Sequence, residues 1–564
     1  MLSQWLQQAK SGQSVWLSDV RRDCEALPEH VAVTMQLTLT DGTRRDFSLP
    51  IPRWEGAEQR QFVAQYVTAC MFITLSALSG RELAFYLDLR ETEVVALLGE
   101  LNDIFQVHET VRSGYGKVVN IANRLCRAFG GGTFSFAVRD RSAYVPAAPE
   151  PQRGGDLLPR LRRSVEQCGR GVCCGIDIGG TDIKAAVAVD GRLVCVKEYD
   201  WNPAASPVAE GLTGPITLLV RLMACCAAGM TPALQAALDK DASDEEMAQA
   251  VAQSASVPLD VLGISFPDVV IRDRIVGGES PKTKGMRENP AIDYETAFAE
   301  LGALVELLRP YCRDGAAIHM TNDGHIAAFT AAAELACSGG EPDFSGGVIA
   351  HALGTDFGVG YLDSDGTIPE MPVELYDFLL DLGSFPQRAL PPEDLRSTRN
   401  ENSYLPGARR YLGQAAAFRL AYDADPALLA GFTEERNGIL AIRQTPEDMR
   451  KPCLAYLMEQ AAAGNAAAQS VFRQIGRNVG QISREMRWLM QPRTDVRYLF
   501  GRFVKHPACF RLLQEGCREI VPDLRLEAAD EDLMCTPLMR QLPEHGVTVA
   551  QFGQAVGAMY YAAI

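Results

Sequence analysis

The sequence lacks any run of about 18 or more consecutive apolar residues, although 47% of its 564 residues are hydrophobic. A membrane-spanning helix needs about that length, so neither a membrane span nor a membrane partner is predicted. The N-terminal stretch MLSQWLQQAK also lacks the basic-then-apolar layout of a secretion signal. The protein is therefore expected to be cytoplasmic.

Basic residues are in the minority, with 54 Lys and Arg against 71 Asp and Glu and a net charge of −17. An acidic surface repels nucleic-acid backbones, so the charge argues against a nucleic-acid partner. The seven histidines are scattered, and the 15 cysteines include no CxxC pair. We therefore predict no Cys/His metal cluster and expect reduced, mostly buried thiols.

The first part of the chain, residues 1–143, is predicted to be a small α+β domain. Residues 31–40 alternate between apolar and polar, the turn pair Asp41-Gly42 follows, and a second alternating run continues to residue 49, which predicts a β-hairpin. Residues 57–78 have helical periodicity. Residues 80–101 are predicted to form two helices joined near Asp88.

A stretch rich in proline and glycine, residues 144–156, separates this domain from the rest. It predicts an extended linker, drawn over residues 144–170. Strand-like and helix-like segments then alternate to the C-terminus, as in α/β architecture. The length allows three or four domains.

Residues 175–194 contain the most informative motif, GIDIGGTDIKAAV followed by a second turn. It predicts two strands joined by a tight Gly179-Gly180 turn, where backbone N–H groups can surround phosphate oxygens and Thr181 adds a hydroxyl. Asp177 could hold Mg²⁺ through water, and Lys184 is a further candidate phosphate-binding residue. The plainer interpretation is an ordinary hairpin.

A second motif joins a short apolar strand to an alanine-rich helix over residues 316–334. Polar residues at the carboxyl end of a strand lie where α/β proteins bind ligands. Asp323 could accept a proton from a hydroxyl group, and Asn322 could hydrogen-bond a neighbouring hydroxyl. The alternative is that Asp323 only caps the helix.

A third motif, over residues 347–366, repeats the pattern of strand, Gly-Thr turn and strand. Gly354, Thr355 and Gly358 are its candidate phosphate-binding residues. Two such hairpins with an Asn-Asp pair between them fit one nucleotide held between two lobes.

These segments resemble the ROK family of bacterial sugar kinases and sugar-responsive repressors, within the actin–hexokinase–Hsp70 superfamily. The likeness spans residues 171–564, roughly 70% of the chain, and includes TNDGHIAA at 321–328 and YLFG at 498–501. It implies a two-lobed actin-like (ribonuclease H-like) ATPase core, with lobe I at 171–325 plus 546–564 and lobe II at 326–545. It also implies that Asp323 is the catalytic base and that Gly501 contacts the nucleotide.

The chain departs from the family pattern at several positions. The zinc-binding Cys/His cluster is missing around residues 407–417, so no structural zinc is predicted. The sugar-binding Glu-x-Gly-His is also missing; Glu374 is the candidate sugar contact, and Asp377 stands where the family has His. Asp356 replaces a glycine of the second phosphate loop.

Two further departures bear on the ligands. Arg502 replaces a glycine near the adenosine. Lys282 and Lys284 lie in the segment that corresponds to the family's sugar-binding loop. Either this segment is an ordinary solvated loop, or its two lysines attract an anionic sugar.

The resemblance implies an Mg²⁺- and ATP-dependent kinase acting on a hexose-like sugar, with sugar and nucleotide as its small-molecule partners. Three alternatives are left open. The donor could be polyphosphate, the protein could be a non-catalytic sugar-sensing regulator of the ROK type, and it could form a homodimer. Besides the kinase and the regulator, a third possible class of function is that of a more distant member of the same superfamily.

A DNA-binding helix-turn-helix is the feature that the regulator alternative requires. Residues 82–95 have nearly its spacing, but Glu91, Glu93 and Glu100 make the second helix acidic. We therefore interpret this segment as a packed helical pair.

Overall fold

The computed structural model describes residues 1–106, 114–130, 132–149, 154–277, 280–384, 390–400, 405–529 and 533–564. These residues form two compact units. The first unit comprises Met1–Pro151, Ala352–Gly358 and Met371–Ala528, and the second comprises Gln152–His351, Val359–Glu370 and Ala529–Ile564. The predicted lobe II, residues 326–545, is therefore divided between the two units. The predicted N-terminal domain, residues 1–143, falls in the same unit as most of that lobe. The predicted boundaries of one N-terminal domain and two lobes stay a prediction.

The helices and strands follow one another in chain order. Before residue 144 they are α1 Leu2–Lys10, α2 Leu17–Glu25, β1 His30–Thr38, β2 Arg44–Pro52, α3 Gly56–Leu78, β3 Glu82–Leu87, α4 Thr92–Phe105, α5 Gly116–Phe129 and β4 Ser135–Asp140. From residue 157 they are α6 Leu157–Gln167, β5 Val172–Ile178, β6 Asp182–Val189, β7 Arg192–Asp200, α7 Glu210–Ala228, α8 Pro232–Ala237, α9 Asp244–Ala252, β8 Leu259–Phe266, β9 Val270–Ile271, β10 Arg274–Ile275, α10 Lys284–Glu288, α11 Tyr294–Gly302, α12 Leu304–Leu308, β11 Cys312–Asn322, α13 Asp323–Ala336, β12 Val348–Leu353 and β13 Phe357–Leu362. The last are α14 Arg409–Leu412, α15 Gln414–Ala424, β14 Thr433–Arg436, β15 Ile439–Ile442, α16 Arg450–Ala462, α17 Ala466–Met490, β16 Val496–Phe500, α18 Arg502–Lys505, α19 Pro507–Ile520, β17 Arg525–Ala528 and α20 Val549–Ala562.

The N-terminal segment contains the predicted hairpin, with β1 and β2 antiparallel from His30 paired with Pro52 to Thr38 paired with Arg44. Its four-stranded sheet has the order β2-β1-β3-β4. The predicted helix over residues 57–78 is present as α3, and most of its side chains are buried. The N-terminal segment is therefore α+β, as predicted.

The predicted helical pair over residues 80–101 is wrong, because its first half is the strand β3. This strand pairs antiparallel with β1 and parallel with β4. Its residues Leu83 to Leu87 are all buried, so a central strand covered on both faces shows no alternation in its sequence. The segment with helix-turn-helix spacing is thus a strand, a turn and the helix α4.

The predicted linker over residues 144–170 is only partly extended. Residues 144–149 have no regular structure, yet Tyr144 and Ala147 donate hydrogen bonds to Asp46 (2.6 and 2.7 Å), and residues 150–153 lie outside the described residues. The rest contains the helix α6, whose Leu157, Leu161 and Val165 are buried. Those three apolar residues recur every four positions, which is a helical period.

The second unit is built on a five-stranded sheet of order β11-β8-β5-β6-β7. The strands β5, β6 and β7 form an antiparallel meander, and β8 and β11 are added parallel to β5. The C-terminal helix α20 lies close to the sheet, because a Cβ at Gly175 would stand 1.8 Å from the Ala555 carbonyl oxygen. This strand order confirms the predicted ribonuclease H-like α/β class.

A second four-stranded sheet has the order β13-β12-β16-β17. Within the first unit, α17 packs against α19 so closely that a Cβ at Gly476 would lie 2.1 Å from the Leu513 carbonyl oxygen. The loops that follow β12 and β16 supply the second group of candidate site residues.

Among the described residues, α3 and α7 are long and apolar enough to cross a membrane by length and composition alone. In the most apolar 18-residue window of each helix, 83% of the residues in α3 and 56% of the residues in α7 are buried inside the protein. A core helix of a soluble protein passes the same test, so the finding is weak support for a span.

Candidate active site

The first glycine turn joins β5 to β6, as predicted. Gly179 N–H donates to the Asp182 carbonyl (2.8 Å), and Trp201 braces the turn by donating its indole N–H to the Gly179 carbonyl (3.1 Å). Gly180 and Thr181 are exposed. The turn is therefore held in one shape while its outer surface stays accessible to a ligand.

Lys184 and Asp177 lie opposite each other on the two strands that carry the turn. The Lys184 ammonium contacts the Asp182 carboxylate, so it is paired within the hairpin. Asp177 is half-buried and accepts a hydrogen bond from the Ser265 hydroxyl (2.7 Å). Burial raises the pKa of Asp177 to about 6, and the nearby Asp323 carboxylate also raises it.

Asn322 and Asp323 lie where β11 ends and α13 begins. Asn322 is the cap of this helix: its Oδ1 accepts from Gly324 N–H (2.8 Å), and its Nδ2 donates to the Asp268 carbonyl (2.9 Å). Both ends of this amide are thus occupied by protein groups. Asn322 is therefore the N-cap residue, and Asp323, for which capping was the alternative role, accepts from the same Gly324 N–H.

Asp323 is the first residue of α13 and is half-buried. Its carboxylate accepts a hydrogen bond from Gly324 N–H (2.8 Å) and forms no ion pair with any residue that the structure describes. Burial raises the pKa of Asp323, the positive charge of Lys282 lowers it, and the Asp268 carboxylate raises it. An ionised Asp323 is consequently a stronger base than an exposed aspartate.

Lys282 lies beside the first glycine turn, and its charge acts on Asp323. It is half-buried, its ammonium donates to the Pro267 carbonyl (3.1 Å), and its Cε lies 3.6 Å from where a Cβ of Gly180 would stand. Lys284, by contrast, is exposed and faces Glu288 at 3.8 Å. Sequence reasoning weighed both lysines alike because nothing in the local pattern separates them.

The second glycine turn, Gly354-Thr355-Asp356, belongs to the first unit. Gly354 N–H donates to the Asp356 carbonyl (3.0 Å), and the Gly354 carbonyl accepts from Gln414 N–H (2.9 Å). The Asp356 carboxylate, which would repel a phosphate, contacts the Arg409 guanidinium (2.7 Å) and accepts from Phe357 N–H (2.9 Å). Arg409 therefore offsets the negative charge that this chain has in place of a glycine.

Gly501 follows β16 and approaches this turn closely. Its φ is +94°, and a Cβ there would lie 2.3 Å from the Leu353 carbonyl oxygen. Only glycine fits such a position without moving the backbone. Gly358 lies on β13, beyond the turn, while Arg502 is exposed at the start of α18.

A cleft of about 330 Å³ opens beside the second glycine turn, entirely within the first unit. Its lining includes Thr355, Asp356, Arg409, Gln414, Phe418 and Arg450. The full lining has three arginines, Arg409, Arg410 and Arg450, against two acids, Asp356 and Glu393, so its formal net charge is +1 (3 − 2). With the aromatic ring of Phe418, this lining suits a ligand with phosphates and a flat ring, and the volume is in the range of ligand pockets. Sequence reasoning missed Arg409, Gln414 and Arg450, because they follow the turn in the chain by more than 50 residues.

Glu374, the candidate sugar contact, is half-buried just after Val373, whose φ is +54°. Its backbone N–H donates to the Ser76 carbonyl (3.1 Å). Asp377 is buried and paired with Lys117 (2.7 Å) from the N-terminal segment. The predicted site residues thus fall into two groups, one in each unit, and Glu374 belongs with the second glycine turn.

Mg²⁺ was predicted near Asp177. No group of three or more His, Cys, Asp or Glu side chains in the described ranges is arranged to hold a metal ion. Mg²⁺ is usually held by one or two carboxylates together with substrate phosphates and water. Asp177, whose raised pKa reports a desolvated carboxylate near Asp323, fits such a role.

The comparisons with known proteins gave likenesses in structure alone. No family model and no curated protein matches the chain. A ROK family glucokinase from Streptomyces griseus is 18% identical, with 69% of this chain and 98% of that chain covered and a TM-score of 0.36. A ROK hexokinase from Thermus thermophilus is 17% identical, with coverages of 69% and 97% and a TM-score of 0.37. A ROK family transcriptional regulator, a homolog of the E. coli MLC protein, is 13% identical, with coverages of 70% and 78% and a TM-score of 0.40.

These solved structures come from the family that the motifs resemble. They include both kinases and a regulator, and at TM-scores below 0.5 the likenesses carry no argument about activity. The proposed function therefore rests on this chain's own residues.

Proposed function

We propose that the protein is a carbohydrate kinase that transfers a phosphoryl group from ATP to a hydroxyl of a hexose-like sugar. The observation that carries the proposal is the grouping of Asp177, Asp323 and Lys282 beside the braced Gly179–Thr181 turn. A base with a raised pKa, a cation and exposed backbone N–H groups are what phosphoryl transfer to an alcohol requires.

In the proposed reaction, Asp323 orients the sugar hydroxyl and accepts its proton as the new oxygen–phosphorus bond forms. The bond from the terminal phosphorus to the bridging oxygen breaks, and ADP leaves with the electron pair. Lys282 offsets negative charge beside the first glycine turn. Mg²⁺ near Asp177 would neutralise charge on the donor phosphates. The cleft next to Gly354–Asp356 is proposed to bind the nucleotide.

The test is coupled ADP release with Mg-ATP and a panel of hexoses, N-acetylhexosamines and sugar acids, repeated with polyphosphate and product detection by mass spectrometry. Turnover that depends on one sugar class supports the kinase and names its acceptor. Sugar binding by thermal shift without a phosphorylated product from either donor would overturn the kinase in favour of a sugar-sensing regulator.

Lys282→Met is expected to move the acid limb of the pH profile of kcat/KM to higher pH. Because Lys282 lowers the pKa of Asp323, its removal raises that pKa, and the base is then ionised only at higher pH. We expect Lys282→Met to lose some kcat/KM at every pH, because it also removes a positive charge beside the first glycine turn, and to lose roughly tenfold more on the acid limb than on the plateau.

The matched control for this experiment is Lys240→Met, which removes an exposed lysine that pairs with Glu198 (2.8 Å) in the same unit. It should leave the profile in place. An equal loss of activity at every pH in Lys282→Met would contradict the proposed action on Asp323.

A further inference from the structure

The helix α5 of the N-terminal segment contributes a buried cation to a distant part of the same unit. Only 8% of the Lys117 side chain is exposed, and its ammonium lies 2.7 Å from Asp377 Oδ2. It also donates to the Tyr376 hydroxyl (2.8 Å). The Asp377 side chain is only 2% exposed.

The contacts continue from Asp377 to the second glycine turn. The Asn400 side chain is fully buried, and its Nδ2 donates to Asp377 Oδ1. Arg409 Nη1 donates to Asn400 Oδ1 (3.3 Å), and Arg409 Nη2 contacts Asp356 Oδ2 (2.7 Å). A continuous polar chain therefore runs from α5 through Asp377, Asn400 and Arg409 to Asp356, entirely within the first unit.

The chemistry of these groups allows Asn400 only one orientation. A carboxylate can only accept hydrogen bonds, and a guanidinium can only donate them. The amide must therefore turn its NH₂ group to Asp377 and its oxygen to Arg409. This orientation depends on a negative charge on Asp377, and burial of that charge depends on the Lys117 ammonium.

Removal of Lys117 would leave Asp377 as a buried carboxylate without its cation. Asn400 links the Arg409 guanidinium to Asp377, and Arg409 would then be attracted toward Asp377 and away from Asp356. Asp356 would present more negative charge in the glycine turn. Because Asp356 and Arg409 both line the cleft of the first unit, the effect would fall on a phosphate-bearing ligand there.

We propose that Lys117 is a positioning residue for donor binding, acting through Asp377, Asn400 and Arg409 on the charge of the second glycine turn. This inference rests on the proposed function in one respect, that the cleft beside this turn binds the donor phosphates. It assigns the N-terminal segment a role in setting nucleotide affinity.

The experiment is titration calorimetry of Mg-ADP against the full chain carrying Lys117→Met. The dissociation constant is expected to rise roughly tenfold, while Lys117→Arg, which keeps the charge, stays close to wild type. In the Asp356→Asn background the same Lys117→Met change is expected to have little further effect, because the charge it acts on is gone.

The matched control is Arg21→Met, which removes another buried ion pair between the N-terminal segment and the rest of the first unit. Arg21 lies 2.7 Å from Glu485, and their side chains are 9% and 1% exposed. It is expected to lower the melting temperature like Lys117→Met but to leave Mg-ADP affinity unchanged, since it touches no residue of the turn.

The outcomes separate this inference from the proposed function. Mg-ADP binding that weakens in Lys117→Met supports the inference even if no sugar is phosphorylated. Equal weakening in Arg21→Met, or additive effects of Lys117→Met and Asp356→Asn, would overturn it. If Lys117→Met does not fold, Lys117→Gln takes its place, because it also removes the positive charge but keeps a polar group for the Tyr376 hydroxyl. Weaker Mg-ADP binding by Lys117→Gln then supports the inference, and unchanged binding overturns it.

Discussion

Asp323→Asn is expected to lower kcat for sugar-dependent ATP turnover by roughly 10²–10⁴-fold. Asparagine has nearly the same shape as aspartate but cannot accept the proton of the sugar hydroxyl. Since Asn322 is the N-cap of α13 and the asparagine oxygen at position 323 can still accept from Gly324 N–H, the helix should remain intact. Steady-state kinetics should therefore show the loss in kcat, and calorimetry should show sugar affinity within about threefold of wild type.

The conservative control is Asp190→Asn in the same unit. Asp190 has a φ of +49° and accepts from Gly171 N–H (2.9 Å), and asparagine tolerates this conformation and can accept the same bond. Its kcat should match wild type. Turnover in Asp323→Asn at the wild-type rate would remove Asp323 from the proposed mechanism.

Asp177→Asn is expected to make the protein inactive and, at neutral pH, more stable. The pKa of Asp177 in the folded protein is raised to about 6, above its ordinary value of about 3.9. The stability contribution of this group is thus fully present below about pH 4 and is lost as the pH rises through about 6. Asparagine stays neutral throughout, so the variant should gain on the order of 2 kcal/mol in unfolding free energy at pH 7.5 and nothing near pH 4.

The measurement is urea unfolding of wild type and Asp177→Asn at both pH values, in metal-free buffer without nucleotide. The comparison at pH 4 serves as the internal control, because both side chains are then mostly neutral. A variant that is less stable than wild type at pH 7.5 would show that the Asp177 charge is favourably held, contrary to the burial that raises its pKa.

Local patterns in the sequence were sufficient to predict the motifs that depend on neighbours in the chain. The Gly179-Gly180 turn follows from alternating apolar residues on each side of two glycines, and the structure has it between β5 and β6. The junction at Asn322 and Asp323 follows from an apolar strand that meets an alanine-rich helix. The helix α6 was missed although Leu157, Leu161 and Val165 mark its buried face, because the proline and glycine before it dominated the interpretation.

Contacts between distant parts of the chain were beyond the reach of these patterns. The segment 82–87 was assigned to a helix, since burial on both faces removes the alternation that identifies a strand. The pairing of Lys117 with Asp377 joins residues 260 positions apart. Likewise, the ion pair between Arg409 and Asp356 could not be predicted from spacing, because the two residues are far apart in the chain.

The central claim is that Asp323 deprotonates a sugar hydroxyl during phosphoryl transfer. Its most direct test is a single-turnover reaction of excess enzyme with Mg-[γ-³²P]ATP and the sugar found in the panel, for wild type and Asp323→Asn, with the labelled product identified after quenching. We predict rapid transfer of label to the sugar by wild type and a rate slower by roughly 10²-fold or more in the variant. Label that reaches the sugar equally fast in both proteins, or that appears only as inorganic phosphate, would contradict the claim.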